Sequence, residues 1–304
     1  MRLVAAAAAV ALACTGGAGG ARHAAPAASG AQASGAATWA LAQVSAAQAW
    51  PLVAGRQLPV VAILDSGVDA THPALAGRIV SARDFVDGTG DVTDASWHGT
   101  AVAGVLAGGG DGIGVCPACA IVSGKVLDAQ DQGDDAEIAR AILWAVDTGA
   151  RVVNLSVSGP AEAPVLRQAI RTATRRGVVV VAAAGNDGGT SRAFPAADPY
   201  VVGVAATTSS DTLFDWSNRG SWVSVAAPGE TTTTLRGGGF TTFLGTSAAA
   251  PAVSAAAAEC LAVAPRLAPA AVRRILARTA APIQGMPFGR LDVGRAVAAC
   301  AGAA

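Results

Sequence analysis

Pro59-Val60-Val61-Ala62-Ile63-Leu64 is an unbroken apolar run that ends on Asp65-Ser66-Gly67-Val68-Asp69. A strand with one wet face alternates apolar and polar residues. A strand buried on both faces does not, and such strands belong to parallel sheets. Similar runs occupy residues 121–127, 151–155, 178–184, 201–205 and 222–226. Helical patterns lie between them. Residues 136–148 place Ile138, Ile142 and Val146 on one face and stop at Gly149, and residues 164–176 stop at Gly177. Residues 269–279 turn Val272, Ile275 and Leu276 inward. Strands alternating with helices predict an α/β fold, a three-layer sandwich around a mostly parallel sheet. The apolar stretch 248–264 carries Pro251 and Glu259 and is short for a membrane span, so it reads as a helix buried inside the domain.

In an open parallel sheet, active sites gather at the carboxyl ends of the strands. Asp65, Ser156 and Asn186 each follow an expected strand, and His98 and Ser247 each open an expected helix. A serine hydroxyl is a poor nucleophile at neutral pH and needs a base. The chain has three histidines: His23 in a low-complexity stretch, His72 in the turn Thr71-His72-Pro73, and His98. His98 is the candidate base. Asp65, His98 and Ser247 supply acid, imidazole and hydroxyl in one of the known chain orders for a hydrolytic triad. Asp69 is a rival acid, read here as support for the turn after Asp65.

Each of these residues sits in a Gly-rich frame. Ala62-Ile63-Leu64-Asp65-Ser66-Gly67-Val68-Asp69, His98-Gly99-Thr100-Ala101-Val102-Ala103-Gly104 and Gly245-Thr246-Ser247-Ala248-Ala249-Ala250-Pro251 resemble the signature blocks of subtilisin-like serine proteases. Each block alone is an ordinary turn or loop; their joint occurrence at family spacing carries the resemblance. The linking segments Lys125-Val126-Leu127-Asp128, Val153-Asn154-Leu155-Ser156, Phe194-Pro195-Ala196 and Ala227-Pro228-Gly229 also match, so the likeness runs from about Trp39 to Ala299. It implies a secreted serine endopeptidase acting through an acyl-enzyme, with Ser247 as nucleophile, His98 as base and Asp65 holding the imidazole. It implies Asn186, in Ala182-Ala183-Ala184-Gly185-Asn186, and the Ser247 N–H as oxyanion donors. It also implies a substrate pocket lined by Ser156, Val157, Ser158 and Gly159 and by Ala183, Ala184 and Gly185. Asp187 at the pocket rim and Asp135 over a further subsite either favour basic substrate groups or are solvated loop charges. The alternative reading is a catalytically idle fold of this family used as a binding module.

The chain departs from the family pattern at five places. Trp97 stands before His98 where Gly is usual, which implies a narrower cleft on that side. Ala101, Ala248 and Ala252 replace a His, a Met and a His. The stretch 108–114, where many relatives bind calcium, has Asp111 as its only carboxylate. Hard cations want six to eight oxygens, so no structural calcium is expected there, no metal site is assigned, and no catalytic cofactor is implied.

Composition adds bounds. The 304 residues carry 21 basic and 21 acidic side chains, a neutral balance that argues against nucleic acid as a partner. The expected partner is a peptide or protein substrate, met by a monomer. Residues 1–13 read as an export signal of bacterial type, residues 14–36 as a low-complexity linker, and residues 37–304 as the peptidase domain. Cys14 follows Ala11-Leu12-Ala13. Secretion is the favoured outcome, and lipidation of Cys14, which would tether the protein to a membrane, is the other. The span 14–36 is too short for a folded pro-domain. Among the remaining cysteines, Cys116-Pro117-Ala118-Cys119 reads as a local disulfide staple in preference to a redox pair or half a zinc site. A Cys260–Cys300 bridge is expected to pin the C-terminal end.

Overall fold

The protein is described by a computed structural model covering residues 2–5, 36–109 and 113–303. Its strands are β1 (Arg2–Ala5), β2 (Val61–Asp65), β3 (Ile79–Asp84), β4 (Ile121–Lys125), β5 (Gln132–Asp134), β6 (Val152–Leu155), β7 (Val157–Ser158), β8 (Val179–Ala183), β9 (Val201–Thr207), β10 (Val225–Pro228), β11 (Glu230–Thr234), β12 (Phe240–Leu244), β13 (Ala281–Pro282) and β14 (Gly289–Arg290). Its helices are α1 (Ala36–Gln43), α2 (Ala46–Val53), α3 (His98–Ala107), α4 (Asp135–Asp147), α5 (Pro164–Arg175), α6 (Thr246–Val263), α7 (Pro269–Thr279) and α8 (Val293–Ala301).

The main sheet has nine strands in the order β13-β14-β10-β9-β8-β6-β2-β4-β3. All neighbours pair in parallel except β13 with β14. β2 is the first strand of this sheet along the chain, and later strands are laid down on both sides of it. The strand order therefore reverses at β2, and the crevice at a reversal point is where open α/β sheets bind ligands. Asp65 is the last residue of β2.

Both faces are covered, as the unbroken apolar runs require. Successive side chains alternate across a strand. Val61 and Ile63 of β2 pack into a core with α2, α3, α6, α7 and α8, while Ala62 and Leu64 pack into a second core with α4 and α5. α6 lies in the first core with all of its residues buried. It is apolar and long enough to cross a membrane, but here it is a core helix of the domain. The many alanines and glycines on α3 and α6 let these helices pack closely against each other and the sheet. The disulfides Cys116–Cys119 and Cys260–Cys300 each have a Cα separation of 5.4 Å. The second ties α6 to α8.

Three features differ from the sequence reading. The run 222–226 contributes strand only from Val225, because Val223 closes a turn onto the Gly220 carbonyl. The hairpin β11–β12, rich in Thr, packs on α3: Thr233 and Thr234 hydroxyls donate to the carbonyls of Ala101 and Thr100 at 2.6 and 2.7 Å. Arg2–Ala5, inside the expected export signal, forms strand β1, paired antiparallel with both β5 and β7. The rest of that signal and most of the linker, with Cys14, lie outside the described residues.

Candidate active site

Two helix N-termini and one strand end meet at this site. β2 delivers Asp65, α3 opens on His98, and α6 presents Ser247 as its second residue. All three side chains are buried. His98 Nδ1 lies 2.7 Å from Asp65 Oδ1, an ion pair if the imidazole is protonated. Ser247 Oγ donates to the Ser156 carbonyl at 3.1 Å, and Ser156 Oγ donates back to the Ser247 carbonyl at 3.2 Å. His98 Nε2 has no hydrogen-bond partner in this arrangement. The acid–imidazole hydrogen bond is formed, and no hydrogen bond joins the imidazole to the Ser247 hydroxyl. Catalytic hydrogen bonds often close only once substrate is bound.

Side chains from elsewhere set the position of His98. The first turn of any helix leaves its N–H groups without intrahelical partners. Here they are taken one by one. His98 N–H donates to Ser96 Oγ (3.1 Å), Gly99 N–H to Ser66 Oγ (2.9 Å), and Thr100 N–H to Asp94 Oδ2 (2.9 Å). Ser66 Oγ in turn donates to Asp94 Oδ1 (2.7 Å), and Thr100 Oγ1 donates to Asp94 Oδ2 (2.5 Å). The buried Asp94 thus ties the end of β2 to the start of α3. A side chain at position 99 would not fit, since a Cβ there would sit 2.0 Å from the Gly67 carbonyl oxygen. Phe243 of β12, fully buried, meets the imidazole edge-on at 5.3 Å. Trp97 packs edge-on against both Phe243 and His98, so its indole supports the imidazole and is partly buried with the core.

The electrostatics follow from burial and neighbouring acids. Burial alone would push the His98 imidazole below its usual range. The charge and hydrogen bond of Asp65, with further attraction from Asp131 and Asp94, outweigh it and raise His98 to about 9. Burial raises the carboxyls of Asp94 and Asp131 above the usual carboxylate range, with partial compensation from hydrogen bonds to Thr100 and Ser66 and from His98, respectively.

The residues expected to line a pocket follow β6 and β8 at the ends of neighbouring strands, and Ser156 and Gly185 bond to Ser247 and Thr246 at the start of α6. Ser156 follows β6, Val157 and Ser158 form β7, and Gly159 bridges to Phe194. Ala183 ends β8, and Ala184 and Gly185 follow it. Gly185 has φ +95°, and a Cβ there would lie 2.6 Å from Asn218 Nδ2. Asn218 braces this loop, donating to the Ala184 carbonyl (3.0 Å) and accepting from the N–H groups of Asp187 (3.1 Å) and Gly189 (3.0 Å). Asn186 Oδ1 accepts from the backbone N–H (3.0 Å) and hydroxyl (2.9 Å) of Thr246, which fixes the carboxamide beside the start of the helix that carries Ser247. Gly245, with φ +139°, starts that helix, so the Ser247 N–H belongs to an N-terminus whose dipole favours negative charge. Asp187 is exposed and held by Asn218 Nδ2 at 3.2 Å, and Asp135 opens α4, immediately after β5.

Asp69 is set apart from the imidazole: it accepts from Thr71 (3.0 and 2.6 Å) and from the Gly237 N–H (2.9 Å). His72 is a cap, accepting from the Ala74 N–H at Nδ1 and bonding the Gly239 carbonyl through Nε2. The sequence reading missed Ser66, Asp94, Asp131, Asn218 and Phe243. Asp94 and Ser96 just ahead of a helix are the kind of residues that cap one, and that signal was available. Among the described residues no cluster of three or more His, Cys, Asp or Glu side chains is placed to hold a metal ion. The centre of the stretch considered for calcium, residues 110–112, lies outside the described residues.

Comparison with known proteins gives a consistent result. A model of the subtilase family matches residues 56–295. A thermophilic serine proteinase of Bacillus sp. (strain AK1) is 40% identical over 215 residues, 69% of this chain and 54% of that protein. Halolysin of Haloferax mediterranei is 39% identical over 276 residues, 84% of this chain and 52% of that protein. Thermitase of Thermoactinomyces vulgaris is 38% identical over 220 residues, 71% of this chain and 78% of thermitase. The chain thus spans about half the length of the first two relatives. A protease from Pseudoalteromonas arctica PAMC 21717 has a solved structure that superposes with a TM-score of 0.78 at 28% identity, covering 84% of this chain and 94% of that one.

Proposed function

The chain belongs to the subtilase family, and from that premise we propose that it is an exported serine endopeptidase that hydrolyses peptide bonds through an acyl-enzyme on Ser247. The observation that carries the reading is the Asp65–His98 hydrogen bond, set at the strand-order reversal beside the N-terminus that bears Ser247. In the proposed reaction Ser247 turns from the Ser156 carbonyl to His98 Nε2 and attacks the scissile carbonyl carbon. Its proton passes to Nε2, and Asp65 stabilises the imidazolium. The developing oxyanion is received by the Asn186 carboxamide and the Ser247 N–H. Collapse breaks the C–N bond, and His98 gives its proton to the departing amine. Water, activated by the same imidazole, then releases the acid. The scheme uses no cofactor.

Substrate is proposed to bind extended, as a strand between β5 and β7. The antiparallel pairing of Arg2–Ala5 with both edges supports this, since it places the free backbone groups of both strands within reach of a third chain. The protein is proposed to act as a monomer outside a bacterial cell, with membrane attachment only through a lipid on Cys14. The second reading, an idle fold that binds without cleaving, draws on the unpartnered Nε2. Incubation with an extended chromogenic peptide decides between them. Turnover in the wild-type protein that disappears in Ser247→Ala and His98→Ala supports the peptidase. Binding of the peptide by folded wild-type protein without cleavage supports the second reading.

A further inference from the structure

β5, β1 and β7 form a three-stranded sheet in which β1 fills the slot between the other two. Val4 pairs with both Gln132 and Ser158, and Ala5 pairs with Val157. One step further along the antiparallel register with β5, Ala5 stands level with Asp131, the residue just before that strand. In a bound chain of the same register, the next residue stands opposite Ser156. Ser156 exchanges hydrogen bonds with Ser247 at 3.1 and 3.2 Å. Such a chain offers the carbonyl opposite Ser156 to the nucleophile, and the residue before that one lies between Val157 and Asp131.

Asp131 joins this slot to the imidazole. Its Oδ1 accepts from Ser96 Oγ at 2.6 Å, and Ser96 Oγ accepts from the His98 N–H at 3.1 Å. Asp131 Oδ2 accepts no hydrogen bond among the described residues and is not sealed from water; the residue is 8% exposed with β1 alongside. The Arg and Lys ion pairs of the described residues all fall on other acids. The backbone at Asp131 has φ +57°, a left-handed conformation that glycine adopts most readily. A carboxylate thus stands where the chain geometry favours glycine, with one oxygen braced and the other free.

We propose that Asp131 selects substrates carrying arginine or lysine at the residue immediately before the one whose carbonyl Ser247 attacks. This selectivity rests on the peptidase reading above. Residues directly opposite on antiparallel strands have neighbouring side chains. A long basic side chain at this place reaches the free carboxylate oxygen and gains a charge-assisted hydrogen bond. Asp65, Asp94 and Asp131 together make the surroundings of His98 acidic, which complements a cation and repels an acidic residue. A neutral residue leaves Oδ2 to water, so it is accepted without being favoured.

The test is cleavage of succinyl-Ala-Ala-X-Phe-p-nitroanilide, with X as Arg, Lys, Gln or Glu, at alkaline pH, where carboxylates are ionised and Arg and Lys are charged. Wild type is compared with Asp131→Asn and Asp131→Gly. Asn keeps an oxygen for Ser96 and removes the charge, and both replacements tolerate the left-handed backbone. In wild type, kcat/KM for Arg and Lys is expected to exceed that for Gln by about tenfold, chiefly through KM, with Glu below Gln. In both variants the Arg-to-Gln ratio falls to about one, whatever the absolute rate. A wild type that does not distinguish Arg from Gln, or a preference that either variant retains in full, overturns the proposal. If folded wild type cleaves none of the peptides, the peptidase reading fails separately, and binding decides the selectivity. The same peptides, fluorescein-labelled and ending in Phe-amide, are then titrated against Ser247→Ala by anisotropy. Tighter binding of Arg and Lys than of Gln by about tenfold, lost when Asp131→Asn is added, supports it. Equal binding overturns it. β1 competes with every peptide alike, so the ratios stand.

Discussion

Replacing Asp94 with alanine removes four acceptor contacts at once: from Ser66 Oγ, the Ser96 N–H, the Thr100 N–H and Thr100 Oγ1. The two hydroxyls can turn to other acceptors, and the Ser96 N–H is only partly buried. The Thr100 N–H, in the buried first turn of α3, has no such freedom. One buried donor left unsatisfied costs about 1–3 kcal/mol, and two weakened hydroxyl bonds add about 1 kcal/mol each. Against this, Asp94 is a buried carboxyl whose ionisation burial already opposes, so its removal refunds part of the loss. The expected net destabilisation is about 2–3 kcal/mol. The kinetic effect is separate. Asp94 joins Ser66, next to Asp65, to the turn that carries His98, and a displacement of a catalytic group by about 1 Å costs about 100-fold. The expected result is a fall in kcat of that order with little change in KM, because no substrate contact is lost. Asp94→Asn keeps one acceptor oxygen and should fall between. Stability is measured by urea unfolding on a Ser247→Ala background, followed by tryptophan fluorescence, and kinetics with Ser247 in place. If Asp94→Ala stays within about 0.5 kcal/mol of the parent and keeps kcat within about twofold, the account of how His98 is held is wrong.

The imidazole acts as a base only when neutral, and His98 is raised to about 9. A plot of kcat/KM against pH should therefore show an acid limb well above the 6.5 of an ordinary imidazole; a limb at or below 6.5 contradicts the assigned electrostatics. The sign for stability is opposite. A histidine whose folded value is raised contributes stability that is full below about 6.5 and is lost as pH rises through about 9, which unfolding of the Ser247→Ala protein across that range can check. Cys260 and Cys300 close a loop with a sequence separation of 40. Replacing both with alanine should cost about 4 kcal/mol by the chain-entropy relation, and an unchanged urea midpoint counts against the bridge. Asp187 is exposed on the loop after Asn186. If it reads basic substrate groups, Asp187→Ser shifts a cleavage profile away from Arg and Lys. An unchanged profile leaves it as a solvated loop charge.

The strands that build the sheet were legible because both faces are buried: β2 up to Asp65 and all of β8 are unbroken apolar runs, and β4, β6 and β9 are apolar runs interrupted only by residues such as Ser123, Lys125, Asn154 and Thr207. β3 was not. It is an edge strand in which Val80, Ser81 and Arg83 are exposed and only Asp84 is buried, so it carries no continuous apolar run. The β11–β12 hairpin was hidden for a different reason. Its threonines act through hydroxyl contacts to carbonyls of α3 more than 130 positions away in sequence, and no local pattern encodes that. The same holds at the site. Asp65, His98 and Ser247 stand in short glycine-rich frames that local reading finds, and the structure brings all three to one sheet edge. The residues that hold His98 in place are visible only once the chain is folded. Ser66 and Asp94 are 28 positions apart, and Ser96 and Asp131 are 35 apart, the latter pair joined at 2.6 Å.

The central claim is that Ser247 is a nucleophile activated by His98. The most direct measurement is reaction of the folded protein with a fluorophosphonate, followed by mass spectrometry of its peptides. The account predicts one adduct per chain, on Ser247, formed much more slowly in His98→Ala and absent in Ser247→Ala. Well-folded wild-type protein that stays unmodified, or is modified at another residue at the same rate with and without His98, would contradict it.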